Sequence, residues 1–598
     1  MRSYATPHTY EVPPSGSLSD DVLSQAAAQP DAAGFSRTDP DAPGDWEDIS
    51  YARFRAEVVE LAKGLMASGI GHGDRVGLMS RTRYEWTLVD YALLWIGAVG
   101  VPIYESSAAD QVRWILSDSG AVACFVESDT HATRVAEVRD HLPALRHVWR
   151  LDGGGLRELG SLGGEVADDA LEARRTAVTP RSVATLIYTS GTTGRPKGCV
   201  ITHGNLMFEL GVVTEQLDDL FEGDDASTLL FLPLAHIFAR AIQIGAVRAG
   251  VRLGHTADIK DLLASFEAFR PTFFLAVPRV FEKVFNSASQ RAHAAGRGRI
   301  FDAAARTSID WSRAQDSGRA GVRLRLRHAT FDRLVYARLR AALGGRMRYA
   351  VSGGAPLGER LAHFFRGIGV PVLEGYGLTE TTAALTLNVP GATRVGTVGR
   401  PLPGTGVKVL DDGELLFRGG QVFTGYWNAE EATAATLDAE GWFRTGDVGE
   451  IDDEGFVRIT GRKKEMLVTA GGKNVAPSML EDPIRAHPLI SQVLVVGDGK
   501  PFVGALVTLD PEGVESWATE RGVRVDLGRL AGHQEIASAV QGAVDEANAL
   551  VSRAESIRSF RILSAEWTEE SGHMTPSLKL KRNQVLHDFA DEVEALYN

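Results

Sequence analysis

At 598 residues the chain exceeds the ~250–300 at which a single hydrophobic core stops growing, so two or more domains are expected. Hydrophobic residues make up 44% and charged residues 23%, the proportions of an ordinary soluble globular protein. A net charge of −14 argues against a general nucleic-acid binder.

Residues 1–45 are polar and rich in Pro, Ala and Asp, and read as an extension that wraps the surface or is partly mobile. The first seven residues lack the apolar core of a signal peptide. From Ile49 the patterns alternate. Phe54 to Met66 has the apolar spacing of an amphipathic helix, Arg75 to Met79 reads as a strand, Glu85 to Trp95 as a helix and Ala121 to Val126 as a buried strand. Such alternation predicts a mainly parallel sheet with helices on its faces. The stretch from Tyr91 to Tyr104 is uncharged and apolar, but it is 14 residues long and contains Gly97, Gly100 and Pro102. It falls short of the ~18 residues that suggest a membrane span and reads as core. Cys124 and Cys199 are the only cysteines, which makes no disulfide framework and implies a reducing cytoplasm; Cys199 reads as a small core residue.

The most informative segment follows the apolar run Val183 to Tyr188. It reads Tyr188-Thr189-Ser190-Gly191-Thr192-Thr193-Gly194-Arg195-Pro196-Lys197-Gly198: a strand that breaks into a glycine-rich, hydroxylated loop with one lysine. Glycines let backbone N–H groups approach an anion closely, and Lys197 adds a mobile positive charge, so the natural ligand is a polyphosphate. The spacing is not that of the nucleotide-hydrolase P-loop, which needs Gly, four residues, then Gly-Lys-Ser/Thr. The arrangement instead resembles the AMP-forming adenylating superfamily, which includes acyl-CoA synthetases, peptide-synthetase adenylation domains and beetle luciferases.

Further motifs carry the same resemblance. Phe231-Leu232-Pro233-Leu234-Ala235-His236 is similar to the family motif whose histidine lies beside the substrate carboxylate. Ser352-Gly353-Gly354-Ala355-Pro356 follows a strand-like run and, in relatives, lines the adenine and acyl pockets. Glu374-Gly375-Tyr376-Gly377-Leu378-Thr379-Glu380-Thr381 places an aromatic ring between two glycines, free to lie against a planar base. The resemblance puts Tyr376 on adenine, Thr379 on the α-phosphate, and Glu380 with Thr192 on Mg²⁺, a hard cation suited to few carboxylates plus phosphate oxygens. It also implies nucleotide binding by Thr189, Ser190, Gly191, Thr192, Thr193, Gly194, Lys197, Gly353, Gly354, Ala355, Glu374, Gly375 and Gly377.

Gly441 to Asp447 supplies Asp447, a carboxylate for a ribose diol, and Arg462 is the implied second ribose contact. Lys464 falls at the family's hinge and is expected to absorb a backbone rotation. Thr469 to Asn474 matches the loop that enters the site after that rotation. Near the end, Thr575-Pro576-Ser577-Leu578-Lys579-Leu580-Lys581-Arg582 resembles the motif that carries the catalytic lysine. The alignment selects Lys579, with Leu578 in place of the usual glycine and Lys581 as the alternative.

The resemblance implies an α/β fold. A large N-terminal domain of stacked α/β sheets carries a small β-barrel-like subdomain, the latter also suggested by short strands with Gly turns between Gly399 and Gly461. A small mobile α+β C-terminal domain follows. The expected divisions are an extension at 1–45, the adenylate-forming domain at 46–463 and the C-terminal domain at 464–598. The implied reaction joins a long-chain fatty acid to CoA through acyl-AMP, using ATP and Mg²⁺, with Lys579, His236 and Lys197 as the catalytic set. The alternatives are a ligase that loads a carrier protein, a light-emitting oxidative enzyme and a non-catalytic binder.

Two regions stay open. Phe231, Ile237, Phe238, Ile242, Phe274 and Val277 could line an acyl tunnel or fill a core, and Arg240 occupies the place where some long-chain relatives have an aromatic gate. From Arg291 to Arg348 there are fourteen arginines, no lysine and four acids (Asp302, Asp310, Asp316 and Asp332) in a chain of −14. This stretch is either a set of solvated helix faces or a basic patch for anionic lipid headgroups or CoA phosphates. A cytoplasmic location, with peripheral contact at the inner face of the membrane, is compatible with it. Oligomeric state is not legible.

Overall fold

A computed structural model describes residues 2–39, 42–189, 195–221, 223, 225–257, 262–318, 320–522, 533–575 and 579–598. Two sheets carry most of the chain. The first has seven strands in the order Gly425–Tyr426, Lys197–Thr202, Val183–Thr189, Val99–Ile103, Arg75–Met79, Ala123–Val126 and His147–Arg150. The second has nine: Arg400–Pro401, Thr386–Leu387, Val372–Tyr376, Tyr349–Ser352, Phe273–Ala276, Ser227–Leu230, Arg252–His255, Ala33–Asp39 and Ala42–Ser50. Their central strands pair in parallel, as the helix–strand alternation predicts.

One continuous core joins the two sheets, built from both sets of strands and from helices such as Tyr51–Ala67 and Tyr84–Ile96. Each helix has a local reason to form. Ser50 caps the first by accepting the Arg53 N–H, and Gly97 ends the second in the left-handed conformation (φ 69°) that glycine adopts without strain. The apolar stretch 91–104 is therefore the buried end of one helix, a Gly97 turn and the buried strand Val99–Ile103. Among the described residues no helix is long and apolar enough to cross a membrane. Cys124 and Cys199 are buried and unpaired.

The segment before residue 46 is not an appendage. Ser3–Ala5 pairs antiparallel with Gly406–Val409, Ala33–Asp39 joins the nine-stranded sheet, and Leu18, Val22 and Phe35 are fully buried. Composition averaged over the polar positions hid these three anchors.

The barrel-like unit is a five-stranded antiparallel sheet, Ser3–Ala5, Gly406–Val409, Glu414–Arg418, Phe443–Ile451 and Val457–Arg462, with its own small core. Beyond Lys464 lies an α+β unit around the strands Ile490–Val496, Val503–Leu509 and Ile557–Leu563. Every residue of the first two is buried, because successive side chains enter two different cores: Val493 and Val495 one, Leu494 and Val496 the other.

Candidate active site

A cavity of about 950 Å³ opens where the central strands of both sheets reach their C-terminal ends and the C-terminal unit closes over them. Its polar limb is lined by Thr189, Lys197, Ser352, Gly353 and Gly354, by Gly375 to Glu380, and by Asp447 and Arg462. Ser190, Gly191, Thr192, Thr193 and Gly194 lie outside the described residues.

Residues from three separate motifs form one hydrogen-bonded group here. Strands Phe443–Ile451 and Val457–Arg462 pair with Asp447 opposite Arg462, so the Arg462 Nε donates to Asp447 Oδ1 at 2.9 Å. The Tyr376 hydroxyl donates to Asp447 Oδ2 at 2.6 Å. Asp447 is buried and its carboxylate is fixed from both sides, with each oxygen keeping a lone pair for a ligand hydroxyl. Gly377 is required by close approach: a Cβ there would lie 1.4 Å from the Ala383 carbonyl oxygen. Ala383 itself holds a positive φ of 113°, and Thr382 one of 56°, so the turn that follows Glu380 is strained beside the site.

Glu380 faces the cavity and accepts from the Tyr426 hydroxyl at 2.8 Å; the Lys197 ammonium sits 5.2 Å from the Tyr426 ring centre. Tyr426 escaped the sequence reading, since nothing local marks an aromatic 46 residues beyond Glu380 as its partner.

His236 caps the helix Ile237–Ala249, its Nδ1 accepting the Phe238 N–H at 3.2 Å. Desolvation, and then the charge of Lys579, lower its pKa to about 3. The ring is therefore neutral, and with Nδ1 an acceptor its Nε2 carries the proton. Lys579 reaches the cavity from the far end of the chain. Its backbone is tied to Thr575 by two hydrogen bonds, Thr575 N–H to the Lys579 carbonyl (2.8 Å) and Lys579 N–H to Thr575 Oγ1 (3.0 Å). Its accessible surface faces the cavity, within a protein wall dense enough to lower its pKa. Desolvation and then Arg462 push it down, and Asp447 and Glu380 pull it up. Lys581 also lines the cavity. Lys464 lies at the rim, in the turn that follows the last strand of the five-stranded sheet.

Two residues named with the nucleotide motifs are placed elsewhere. Glu374 is buried behind the wall, where it accepts the Leu357 N–H at 3.1 Å, and burial pushes its pKa up to about 8. Ala355 is exposed and does not line the cavity.

The apolar limb runs between two helices. Leu210, Val213 and Leu217 recur with helical spacing on one side, and Ile237, Phe238, Ala241, Ile242, Gly245 and Ala246 form a stripe on the other. The stripe runs over nine steps from Ile237 to Ala246, about 14 Å at ~1.5 Å per residue. Of the six expected apolar residues, Ile237, Phe238 and Ile242 line it. Phe231 and Phe274 are core, and on the strand Phe273–Ala276 it is the alternate residues Phe273 and Leu275 that face the cavity. Val277 is half-buried and does not line it.

Arg240 is not a gate in this arrangement. It is fully buried and holds Asp90 through Nε and an Nη at 2.9 and 2.5 Å, with Gln243 donating to the same carboxylate. Asp90→Ala leaves a buried guanidinium uncompensated and is expected to cost about 3–5 kcal/mol of stability. Urea unfolding measures this, and an unchanged midpoint would refute the role of the pair.

Comparison with known proteins agrees with this geometry. The AMP-binding enzyme family matches residues 22–427, and the AMP-binding enzyme C-terminal domain matches residues 464–598. The long-chain-fatty-acid–CoA ligase FadD15 of Mycobacterium bovis is 49% identical over 603 residues, covering 100% of both chains. The long-chain-fatty-acid–CoA ligase 6 of Mus musculus is 31% identical over 597 residues, covering 93% of this chain and 83% of the mouse protein. In fold, the chain is similar to the A-PCP didomain of a carboxylic acid reductase from Segniliparus rugosus in complex with AMP, with a TM-score of 0.76 at 20% identity, covering 99% of this chain and 84% of that one. It is likewise similar to the anthranilate CoA ligase AuaEII in complex with anthranoyl-AMP, with a TM-score of 0.73 at 20% identity, covering 98% and 99%. With both family domains matched and a full-length relative at 49% identity, the chain belongs to the AMP-binding enzyme family.

Proposed function

We propose that this protein is an ATP-dependent long-chain fatty acid–CoA ligase. The observation that carries the reading is one cavity with two limbs: a polar limb with the Tyr376–Asp447–Arg462 group and the lysines Lys197, Lys579 and Lys581, continuous with an apolar limb between two helices. The first suits a nucleotide triphosphate and the second an alkyl chain. The names of the full-length relatives support the same substrate class.

In the first step the fatty carboxylate attacks the α-phosphorus of ATP, forming acyl-AMP and releasing pyrophosphate. In the second the CoA thiolate attacks the acyl carbonyl and AMP leaves. An anionic nucleophile meets an anionic electrophile in step one, so the site must supply positive charge and donors. Lys197 and the neighbouring loop take the terminal phosphates, and Lys579 bridges the carboxylate and the α-phosphate. The His236 Nε2–H donates to the carboxylate oxygen. Tyr376 stacks on adenine, Asp447 and Arg462 hold the ribose, and Thr379 takes the α-phosphate.

Glu380 fits Mg²⁺. It is a carboxylate in the polar limb, oriented by Tyr426, and among the described residues no cluster of three or more ligating side chains could hold an ion without substrate oxygens. When bound, Mg²⁺ neutralises phosphate charge. Rotation of residues 464–598 about Lys464 separates the two steps, and the reading includes peripheral contact with an anionic membrane face.

The test is a palmitate-dependent assay with ATP and Mg²⁺, following pyrophosphate and acyl-CoA separately, with and without CoA. Pyrophosphate together with thioester is expected. Acyl-AMP that accumulates despite CoA would favour a carrier-loading ligase instead. The apolar limb has its own test. A Cβ at Gly245 would already meet Leu210 Cδ2 at 3.3 Å, so Gly245→Phe closes the gap between the helices. Palmitate kcat/KM is expected to fall roughly tenfold or more while a short acid is little affected. Equal losses on both would refute this path for the chain.

A further inference from the structure

The arginine-rich stretch plays no part in the cavity chemistry, and its surface has a character of its own. The helix Val322–Phe331 buries none of its residues. It exposes Val322 (73% accessible) and Leu326 (65%), which are four residues apart and so on one face. Leu334 (53%) in the following turn and Ile300 on the neighbouring helix Gly298–Asp316 are also exposed. Exposed side chains of this size are sparse elsewhere among the described residues, and four of the ten fall between 300 and 334. The helix packs inward through Leu324, His328 and Phe331, and Val322 and Leu326 lie off that face, where apolar side chains add nothing to the packing.

The charges around these residues are predominantly positive. Arg323, Arg325, Arg333 and Arg338 are exposed and form no ion pair among the described residues. Two of the four acids of the stretch are neutralised, Asp332 by Arg340 at 2.7 Å and Asp316 by Arg366 at 2.8 Å; Asp302 faces His293. An apolar ridge ringed by free guanidinium groups is complementary to a bilayer surface, with acyl chains below and anionic headgroups around.

We infer that the helix Val322–Phe331 and the turn after it dock this protein on an anionic lipid bilayer, Val322, Leu326 and Leu334 entering the headgroup boundary and Arg323, Arg325, Arg333 and Arg338 pairing with lipid phosphates. The inference rests on the proposed function only for its purpose: a long-chain acid partitions into membranes, so a ligase held there meets its substrate at high local concentration. The same stretch ends beside the apolar limb. The Arg348 guanidinium donates to the Leu220 carbonyl at 3.4 Å, Arg346 pairs with Asp225, and Leu220 lines the cavity.

The experiment is co-sedimentation of the full chain with vesicles of phosphatidylcholine alone and of phosphatidylcholine mixed with phosphatidylglycerol, at low and high salt. Binding to the anionic vesicles only, weakening as salt rises, is expected. Arg323→Ser with Arg325→Ser should lower partitioning about fivefold per arginine, from about 1 kcal/mol per basic residue. Leu326→Asp should lower it at least as far, without changing activity on a short soluble acid. No anionic binding, equal binding to both vesicles, or variants that bind as the parent does would overturn the inference. So would a dimer in the absence of lipid that Leu326→Asp dissociates, because a second copy would then cover the ridge. Palmitate activity in detergent is read in parallel. Its absence would sink the proposed ligase activity, whereas loss of vesicle binding alone would sink only the membrane contact and its docking surface.

Discussion

Replacing Lys579 with alanine is expected to slow acyl-AMP formation by roughly 10²–10³-fold, the cost of one preorganised charge facing a developing anion. The lysine's backbone is held by hydrogen bonds to Thr575 at 2.8 and 3.0 Å, and Arg582 fastens the neighbouring chain to Glu481 at 2.6 Å and to the Val495 carbonyl at 2.8 Å. Truncation should therefore leave the fold intact, which a melting curve checks. Lys579 interacts electrostatically with His236, Asp447, Glu380 and Arg462, so its ammonium stands among the residues proposed to hold the carboxylate, the ribose and Mg²⁺. Thioester formation from supplied acyl-AMP should change far less, since the first step is then bypassed. Following pyrophosphate and acyl-CoA separately distinguishes the two. Equal loss in both half-reactions would refute the role, and a larger loss in Lys581→Ala would transfer it to the alternative lysine.

The second large effect is expected at the pivot. Lys463 is anchored to the five-stranded sheet by Asp412 at 2.6 Å and Glu414 at 3.1 Å, which leaves Lys464 as the residue proposed to absorb the rotation. The contacts to be broken are polar: Arg279 with Asp510 at 3.0 Å, Arg485 with Glu282 at 3.9 Å, and Arg360 to the Ala486 carbonyl at 3.2 Å. Such an interface releases at low cost. The loop Thr469 to Asn474, proposed to enter the site after rotation, now stands away from the cavity, with Ala470 N–H on the Lys500 carbonyl and Lys473 beside Glu555 at 3.5 Å. With Lys579 inside and this loop outside, the structure has the arrangement suited to the first step. Lys464→Pro fixes φ near −65°, so thioester formation should fall at least about tenfold while acyl-AMP formation is nearly retained. Similar rates for both steps in the variant would exclude Lys464 as the hinge.

Local pattern and tertiary context contributed differently. The strand Arg75–Met79 is read from sequence with its observed ends, and the helix Tyr84–Ile96 to within one residue at each end, because apolar periodicity and flanking glycines are local signals. In the N-terminal segment three buried side chains, Leu18, Val22 and Phe35, carry little weight in a polar average, so their anchoring is visible only in the structure.

Sequence by itself determined the family resemblance and the set of chemistry-bearing residues, since glycine spacing, an aromatic between glycines and isolated carboxylates and lysines are legible one motif at a time. Tertiary structure decided which of them meet. Tyr376, Asp447 and Arg462 come from three motifs: strand pairing sets Asp447 opposite Arg462, and a hydrogen bond from the nine-stranded sheet to the five-stranded one brings in Tyr376. Arg240 lies in a motif suggestive of a gate, yet it is claimed by Asp90, 150 residues earlier. Phe273 and Leu275 line the cavity while Phe274 between them is core. A period of two says which side chains share a face of a strand, but whether that face meets a void or a packed layer depends on elements distant in the chain.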